Sequence, residues 1–415
     1  MTNPVCAPPR SARLFQLDAL RGVGAVTVVV FHLTILWEQE AKPTSPAARF
    51  LLGQIAPLGA EAIIFFFLLS GFVLSLSAID GRPQGYSNFV IRRVFRIYVP
   101  YLVAIAAAVA GAFWLHGPIT QSVWFRQFWS EPVDWRLVGQ HVLFVGAYNT
   151  DQFNNPIWSL VQEMRVSLIF PALCWLVLRF RSRWSLAIAA AFSAIGVLLN
   201  KAPVPAGWLA HDTFQITGLF VFGILFARER ERFGTWYRRL PSFARLPAGI
   251  VSLWVFFLGG SRLTWFAGHL FGRASMDVSQ WITALGAGGI VTVSLNSAWL
   301  QRALASPSMR FLASISYSLY LWHFVVLLYC VHLLYGRMPF AAILCLAFVL
   351  MFPVSWCSFR WVELPSNALG RRLGGIRLKH MPPQGANERR FAAIGSADPN
   401  LGAASVEAVA DTSAA

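Results

Sequence analysis

LDALRGVGAVTVVVFH, residues 17–32, is apolar enough to enter a bilayer, yet it carries Asp18 and Arg21 near its start and His32 at its end. Written as an α-helix, the step from Arg21 to His32 turns about 1,100°, only about 20° beyond three full turns at 100° per residue. Both side chains therefore fall on one helix face, roughly 16 Å apart at 1.5 Å per residue. Such a face either looks into a protein interior or is incidental, and the rest of the chain has to discriminate.

Of the 415 residues 56% are hydrophobic and 14% aromatic, while only 13% are charged. Soluble domains carry about 25% charged residues, so a surface with this deficit is one that meets lipid. Long apolar runs recur from Leu17 to Trp361, which points to one polytopic membrane domain. The net charge of +16 could suggest nucleic acid, but the basic residues gather on no soluble face or motif. They fit loops on one side of a membrane better, and no nucleic-acid partner is expected. Cys6, Cys174, Cys330, Cys345 and Cys357 show no paired spacing, and are expected as apolar fillers rather than disulfide or metal ligands. No small-residue cleavage site follows the first apolar run, so that span is expected to remain as an uncleaved anchor.

Runs near 20 apolar residues predict about ten spans, at 19–37, 57–79, 98–115, 156–178, 184–200, 212–228, 248–268, 281–300, 315–335 and 339–361. Residues 138–148, VGQHVLFVGAY, are too short to cross and read as a re-entrant or interfacial piece. With the N-terminus placed in the cytoplasm, 25 of the 34 Lys and Arg residues fall on the cytoplasmic side and 8 on the other, with Arg165 alone inside a span. That alternation is what the positive-inside rule requires. The expected architecture is an all-α integral membrane protein with both termini cytoplasmic. It comprises an N-terminal segment over 1–16, a membrane domain over 17–365, a basic cytoplasmic segment over 366–381 and a disordered tail over 382–415.

An ionisable group at membrane depth is costly, so each one is a functional candidate. In this orientation Arg21 lies at the cytoplasmic end of the first span, while His32 lies some 7–8 Å below its outer end. Glu163 enters with the fourth span and sits some 10 Å below the same face, so it shares a layer with His32. A carboxylate beside an imidazole fixes its tautomer and suits it to general-base work. The simpler alternative is that His32 makes a lone interhelical hydrogen bond and Glu163 neutralises Arg165. Arg92, Arg93 and Arg96 are spaced i,i+3 and i,i+4, which groups three guanidiniums at a cytoplasmic mouth. Positive-inside charge explains many such arginines, but this trio could also hold donor phosphates or anionic headgroups. Ser70 and Gly71, a small pair in mid-span, read first as close helix packing. His323 lies near mid-bilayer on the ninth span, where a structural hydrogen bond is the commoner fate. Glu363 sits at the cytoplasmic end of the tenth, where pairing with Arg360 would explain it.

LDALRGVGAVTVVVFH is followed in order by FFFLLSGFVLS (65–75), FVIRRVFRIYVPY (89–101), WSLVQEMRVSLIFP (158–171), SISYSLYLWHFVV (314–326) and VELP (362–365). This succession resembles the acyltransferase-3 family of integral-membrane O-acyltransferases. The resemblance implies transfer of an acyl group, with acetyl the first expectation, from cytoplasmic acyl-CoA to a hydroxyl. The acceptor it implies is a saccharide or lipid-linked glycan at the outer side of the bacterial inner membrane. Acceptors across the family include O-antigen, exopolysaccharide, peptidoglycan, Nod factor and macrolide sugars. It implies His32 as catalytic histidine with Arg21 as its partner and Glu163 as the acidic member of the site. Arg92, Arg93 and Arg96 fall on the donor side, while Asp18, Ser70, Trp158, His323 and Glu363 support these groups. No bound cofactor or metal is implied, and acyl-CoA enters as co-substrate. One departure is visible: where the family often has an aromatic pair after the glutamate, Val166 and Ser167 stand here, with Arg165 just before. The competing reading is a transporter or flippase of a polar or lipid-linked solute, with His32, Glu163 and His323 as a polar relay.

Overall fold

The computed structural model describes residues 14–42, 45–55, 58–144, 148–201, 207–259 and 275–378, and every regular element among them is a helix. The long helices are α1 (Phe15–Ala41), α3 (Leu58–Ile79), α4 (Tyr86–Leu115), α6 (Ile157–Arg179), α7 (Ser182–Lys201), α8 (Gly207–Arg228), α10 (Ser242–Gly259), α11 (Ser275–Asn296), α13 (Pro307–Leu334) and α14 (Phe340–Ser358). Shorter helices connect them: α2 (Pro46–Ile55), α5 (Trp135–Leu143), α9 (Arg230–Arg239) and α12 (Ala298–Leu304). A π-helical turn, Phe359–Glu363, joins α14 to the last described helix, α15 (Leu364–Leu378). Helices prevail because a backbone in hydrocarbon must satisfy its own N–H and C=O groups.

Nine of the ten expected spans fall on helices, and the seventh, at 248–268, does so over 248–259, its remainder lying outside the described residues; among the described residues eight segments are long and apolar enough to cross a bilayer. The two that fall short are α8 and α10. The first turns of α8 carry His211, Asp212, Thr213 and Gln215, and the last turns of α10 precede residues outside those described. The polarity of α8 has a cause inside the molecule, since Asp212 and Gln215 line a cavity. The position of the expected boundary, residue 366, lies within α15, which packs on α4. The N-terminal residues 1–13 and the tail over 382–415 lie outside the described residues.

Two apolar cores share the molecule. One is built from α1, α4, α13 and α14 together with the segment around Phe125–Trp129, and the other from α3, α6, α8 and α11. Arg21, His32, Ser70, Arg92, Arg93, Arg96, Trp158 and Glu163 line two cavities along a seam to which residues of both cores contribute. The second core depends on close backbone contact between α3 and α8. A Cβ at Gly71 would stand 2.2 Å from the Phe220 carbonyl oxygen, and one at Gly223 would stand 2.3 Å from the Leu68 carbonyl oxygen. Gly71 is thus a packing residue, as its mid-span position beside a small neighbour predicts. Gly71→Ala is expected to destabilise the protein by about 1–3 kcal/mol, because backbone cannot give way as a side chain does. Gly85→Ala, which adds its Cβ to open space, is expected to stay within about 0.5 kcal/mol. Thermal melting in detergent compares the two.

The long connection between α4 and α5 is fastened to the end of α1. Ser122 Oγ donates to Gln39 Oε1 at 2.7 Å, the Trp124 amide donates to the same oxygen at 3.2 Å, and the Gln121 and Ser122 amides donate to Glu40 Oε2 at 3.0 and 3.1 Å. Tyr335 donates to the other oxygen of Glu40. That carboxylate pushes the phenol's pKa up to about 12, so it remains a donor through the physiological range. The clamp fixes Trp124 directly over His32.

Candidate active site

α1 runs the length of the seam and delivers Arg21 to one cavity and His32 to another. The first cavity, of about 340 Å³, is lined by Arg21, Ser70, Arg92, Arg93, Arg96 and Glu163 among others. The second, of about 490 Å³, is lined by His32, Glu61, Trp124, Asn155, Trp158 and Gln215 among others. Ile63, Phe67 and Tyr320 line both and form the partition between them. Arg21 lies 3.9 Å from Asp18 one turn earlier. The arginine–histidine spacing therefore describes two chambers served by one helix.

Within the arginine-lined cavity, the three arginines have different fates. Arg93 is buried, and its Nη2 donates to Glu163 Oε1 at 2.6 Å. Its Nε and Nη2 also donate to Ser167 Oγ at 3.2 and 2.9 Å. Ser167, one of the two departures from the family pattern, thus receives the guanidinium that Glu163 neutralises. Ser70 Oγ donates to the same Glu163 oxygen at 3.2 Å. Arg92 and Arg96 line the cavity, and among the described residues no carboxylate pairs with either. A cavity with two such guanidiniums beside Arg21 suits an anion of several charges.

In the second cavity His32, 4% exposed, meets a second histidine. His32 Nδ1 lies 3.1 Å from His323 Nε2 and 3.0 Å from the Val28 carbonyl oxygen. His323 Nδ1 in turn faces the Tyr320 and Leu319 carbonyl oxygens at 2.7 and 3.1 Å. These contacts assign the tautomers. Carbonyls only accept, so His323 carries its proton on Nδ1 and presents Nε2 as an acceptor. His32 must then carry its proton on Nδ1, which leaves its Nε2 lone pair available. The Trp124 ring lies nearly parallel to the imidazole, with centroids 5.7 Å apart, and Phe31 and Phe324 meet it edge-on. Asn155, whose amide donates to Asp151 Oδ1 at 2.8 Å, lines the same cavity. A desolvated imidazole held in one tautomer against a roomy cavity can accept a proton or attack an acyl carbon.

The pairing expected between His32 and Glu163 is absent. Depth placed both residues in one layer, but Glu163 projects from α6 on the stripe Ser159–Glu163–Ser167, which faces α4 and α13. The alternative pairing of Glu163 with Arg165 is absent too, since Arg165 Nη1 reaches Gln162 and Thr213 on α8. Glu363 accepts from Ser318 Oγ at 2.9 Å, placed there by the π-helical turn. Trp158 lines the histidine cavity, and its neighbour Ser159 meets the Tyr320 hydroxyl at 2.6 Å. Trp124, Asn155 and Gln215 were not singled out by the sequence, because nothing in a single chain announces which loop residue or helix face meets the histidine.

A family model described as an acyltransferase domain, Acyl_transf_3, matches residues 14–360. The acyltransferase MdmB of Streptomyces mycarofaciens is 29% identical over 80% of this chain and 84% of its own length. The peptidoglycan O-acetyltransferase OatA of Listeria monocytogenes serovar 1/2a is 21% identical over 84% of this chain, a match that spans 55% of OatA. No solved structure matches the chain.

Proposed function

The chain belongs to the acyltransferase-3 family and is a multi-pass membrane acyltransferase, and from that premise we propose that it moves an acyl group, acetyl foremost, from acyl-CoA to a saccharide hydroxyl across the partition between its two cavities. The observation that carries this reading is the division of the seam into a basic chamber and a histidine chamber, both lined by Ile63, Phe67 and Tyr320. CoA is the multiply charged, thioester-bearing donor that Arg92, Arg96 and Arg21 would hold on the cytoplasmic side. The acceptor enters the histidine chamber from the outer side of a bacterial inner membrane, whether as a free or a lipid-linked glycan. The name of OatA, a peptidoglycan O-acetyltransferase, supports a glycan acceptor by analogy.

In the reaction, the acceptor oxygen forms a bond to the thioester carbonyl carbon as the C–S bond breaks. The hydroxyl proton passes to His32 Nε2 and then to the departing thiolate, giving an oxygen ester and free CoA thiol. If the imidazole attacks first, the same lone pair forms an acyl-histidine that the acceptor then cleaves. Either route needs the proton of His32 on Nδ1, where His323 Nε2 accepts it. His323 is therefore a positioning residue. His323→Leu is expected to lower kcat about 10–100-fold with the KM for acyl-CoA little changed. His323→Gln, whose Oε1 can accept the same bond, is expected to retain more activity than His323→Leu, which steady-state kinetics on the pair would measure.

The test of the reaction itself uses purified protein in detergent or liposomes. Free thiol should be released from acetyl-CoA in step with formation of an O-acetyl saccharide, followed by mass spectrometry. Thiol release that never depends on any saccharide, across a panel of glycosides and envelope glycans, would count against the reading.

A further inference from the structure

Gln215 lies on α8, 2% exposed, and lines the histidine cavity. Among the described residues neither its Oε1 nor its Nε2 has a hydrogen-bond partner. Its neighbours on the same helix are satisfied. Thr213 Oγ1 donates to Gln162 Oε1 at 2.7 Å and accepts from Arg165 Nη1 at 3.0 Å, and Thr217 Oγ1 donates to the Thr213 carbonyl at 2.7 Å. A buried amide with both ends unpaired is costly and uncommon, and a group that enters the cavity can complete it. The cavity that Gln215 faces is the one that holds His32.

We infer that Gln215 is the residue that selects and orients the acceptor, by pairing with two adjacent hydroxyl groups of a neutral pyranoside while a third is presented to His32; the inference rests on the acyltransferase reading above. An amide offers one acceptor and two donors side by side. Adjacent ring hydroxyls are the complementary ligand, since one can donate to Oε1 while the next accepts from Nε2. The remaining surface of the cavity suits the same ligand. Phe31, Trp124 and Trp158 line the cavity too, and aromatic side chains supply the apolar surface that the C–H groups of a sugar ring need. A site built to hydrogen-bond a hydroxyl discriminates strongly against an analogue that lacks it.

The experiment uses the purified full chain, acetyl-CoA, and the methyl pyranosides of glucose, galactose, mannose and N-acetylglucosamine, followed by the monodeoxy analogues of the best of them. Binding is measured by isothermal titration and transfer by ester formation. Gln215→Leu and Gln215→Glu are compared with the wild type. In Gln215→Leu the KM and Kd for the best glycoside should rise at least tenfold with a smaller fall in kcat, and the melting temperature should hold or rise because the unpaired amide is gone. Removing either of two adjacent hydroxyls should weaken the wild type at least tenfold but Gln215→Leu less than threefold, the coupling expected of groups in contact. Unchanged KM and Kd in both variants, or equal deoxy losses in wild type and Gln215→Leu, would overturn the inference. So would failure of the wild type to bind any glycoside. Glycoside binding that depends on Gln215 but leads to no transfer would uphold the subsite and overturn the acyltransfer chemistry instead.

Discussion

His32→Gln is expected to lower kcat for acyl transfer by about 10³-fold, within the range that general acid–base catalysis supplies, while the protein remains folded. Glutamine is the informative replacement. Its side-chain amide can still donate toward His323 Nε2 and the Val28 carbonyl, which the native ring faces at 3.1 and 3.0 Å. What it cannot do is take a proton or carry an acyl group. His32→Ala removes the ring from between Phe31, Trp124 and Phe324 and leaves His323 Nε2 without its donor. It therefore combines the catalytic loss with a packing loss of a few kcal/mol or less. Measuring melting temperature beside kcat separates the two effects. A His32→Gln protein that keeps a third or more of wild-type turnover would remove His32 from the chemistry.

The sequence makes the helical parts of this arrangement legible and leaves the contacts between helices undetermined. Helix geometry links Arg21 and His32 because one period governs every residue of α1, and the structure places both in cavities along one seam. Charge spacing likewise gathers Arg92, Arg93 and Arg96 on one lining. Depth, by contrast, is one coordinate of two. His32 and Glu163 can share a layer and still face different helices, and the face is set by how α6 packs. A signal was available: Ser159, Glu163 and Ser167 recur every four residues, a polar stripe separate from Gln162 and Arg165. His323, 291 residues from His32, and Trp124, held by a loop clamped to Gln39 and Glu40, depend on packing that no local period encodes. The polarity of α8 is the reverse case. Gln215 and Asp212 lower its apolarity as a span, and both line a cavity.

The same packing sets up a decisive result for Glu163. Replacing either partner of the Arg93–Glu163 pair is expected to destabilise the protein by about 3–5 kcal/mol, since the other charge stays buried without compensation. The side chains of Arg93 and Glu163 are only 8% and 20% exposed, so solvent cannot substitute for the lost partner. Glu163→Leu and Arg93→Met should each melt well below the wild type and lose activity with the fold. The double variant removes both charges and leaves the cavity's net charge unchanged, so most of the stability should return, as it often does when a buried pair is replaced by apolar groups of similar volume. Its activity separates two roles for the glutamate. Glu163 contacts Arg93 and Ser70 and lies apart from the His32–His323 pair. The double variant should therefore recover turnover to within about tenfold of wild type, because the general base proposed above belongs to a histidine pair it does not touch. A double variant that regains the wild-type melting temperature but remains inactive by 10³-fold or more would instead make Glu163 a participant in the chemistry, reached through a rearrangement of α6 during turnover. Thermal melting and steady-state kinetics on the four proteins of this cycle decide between the two.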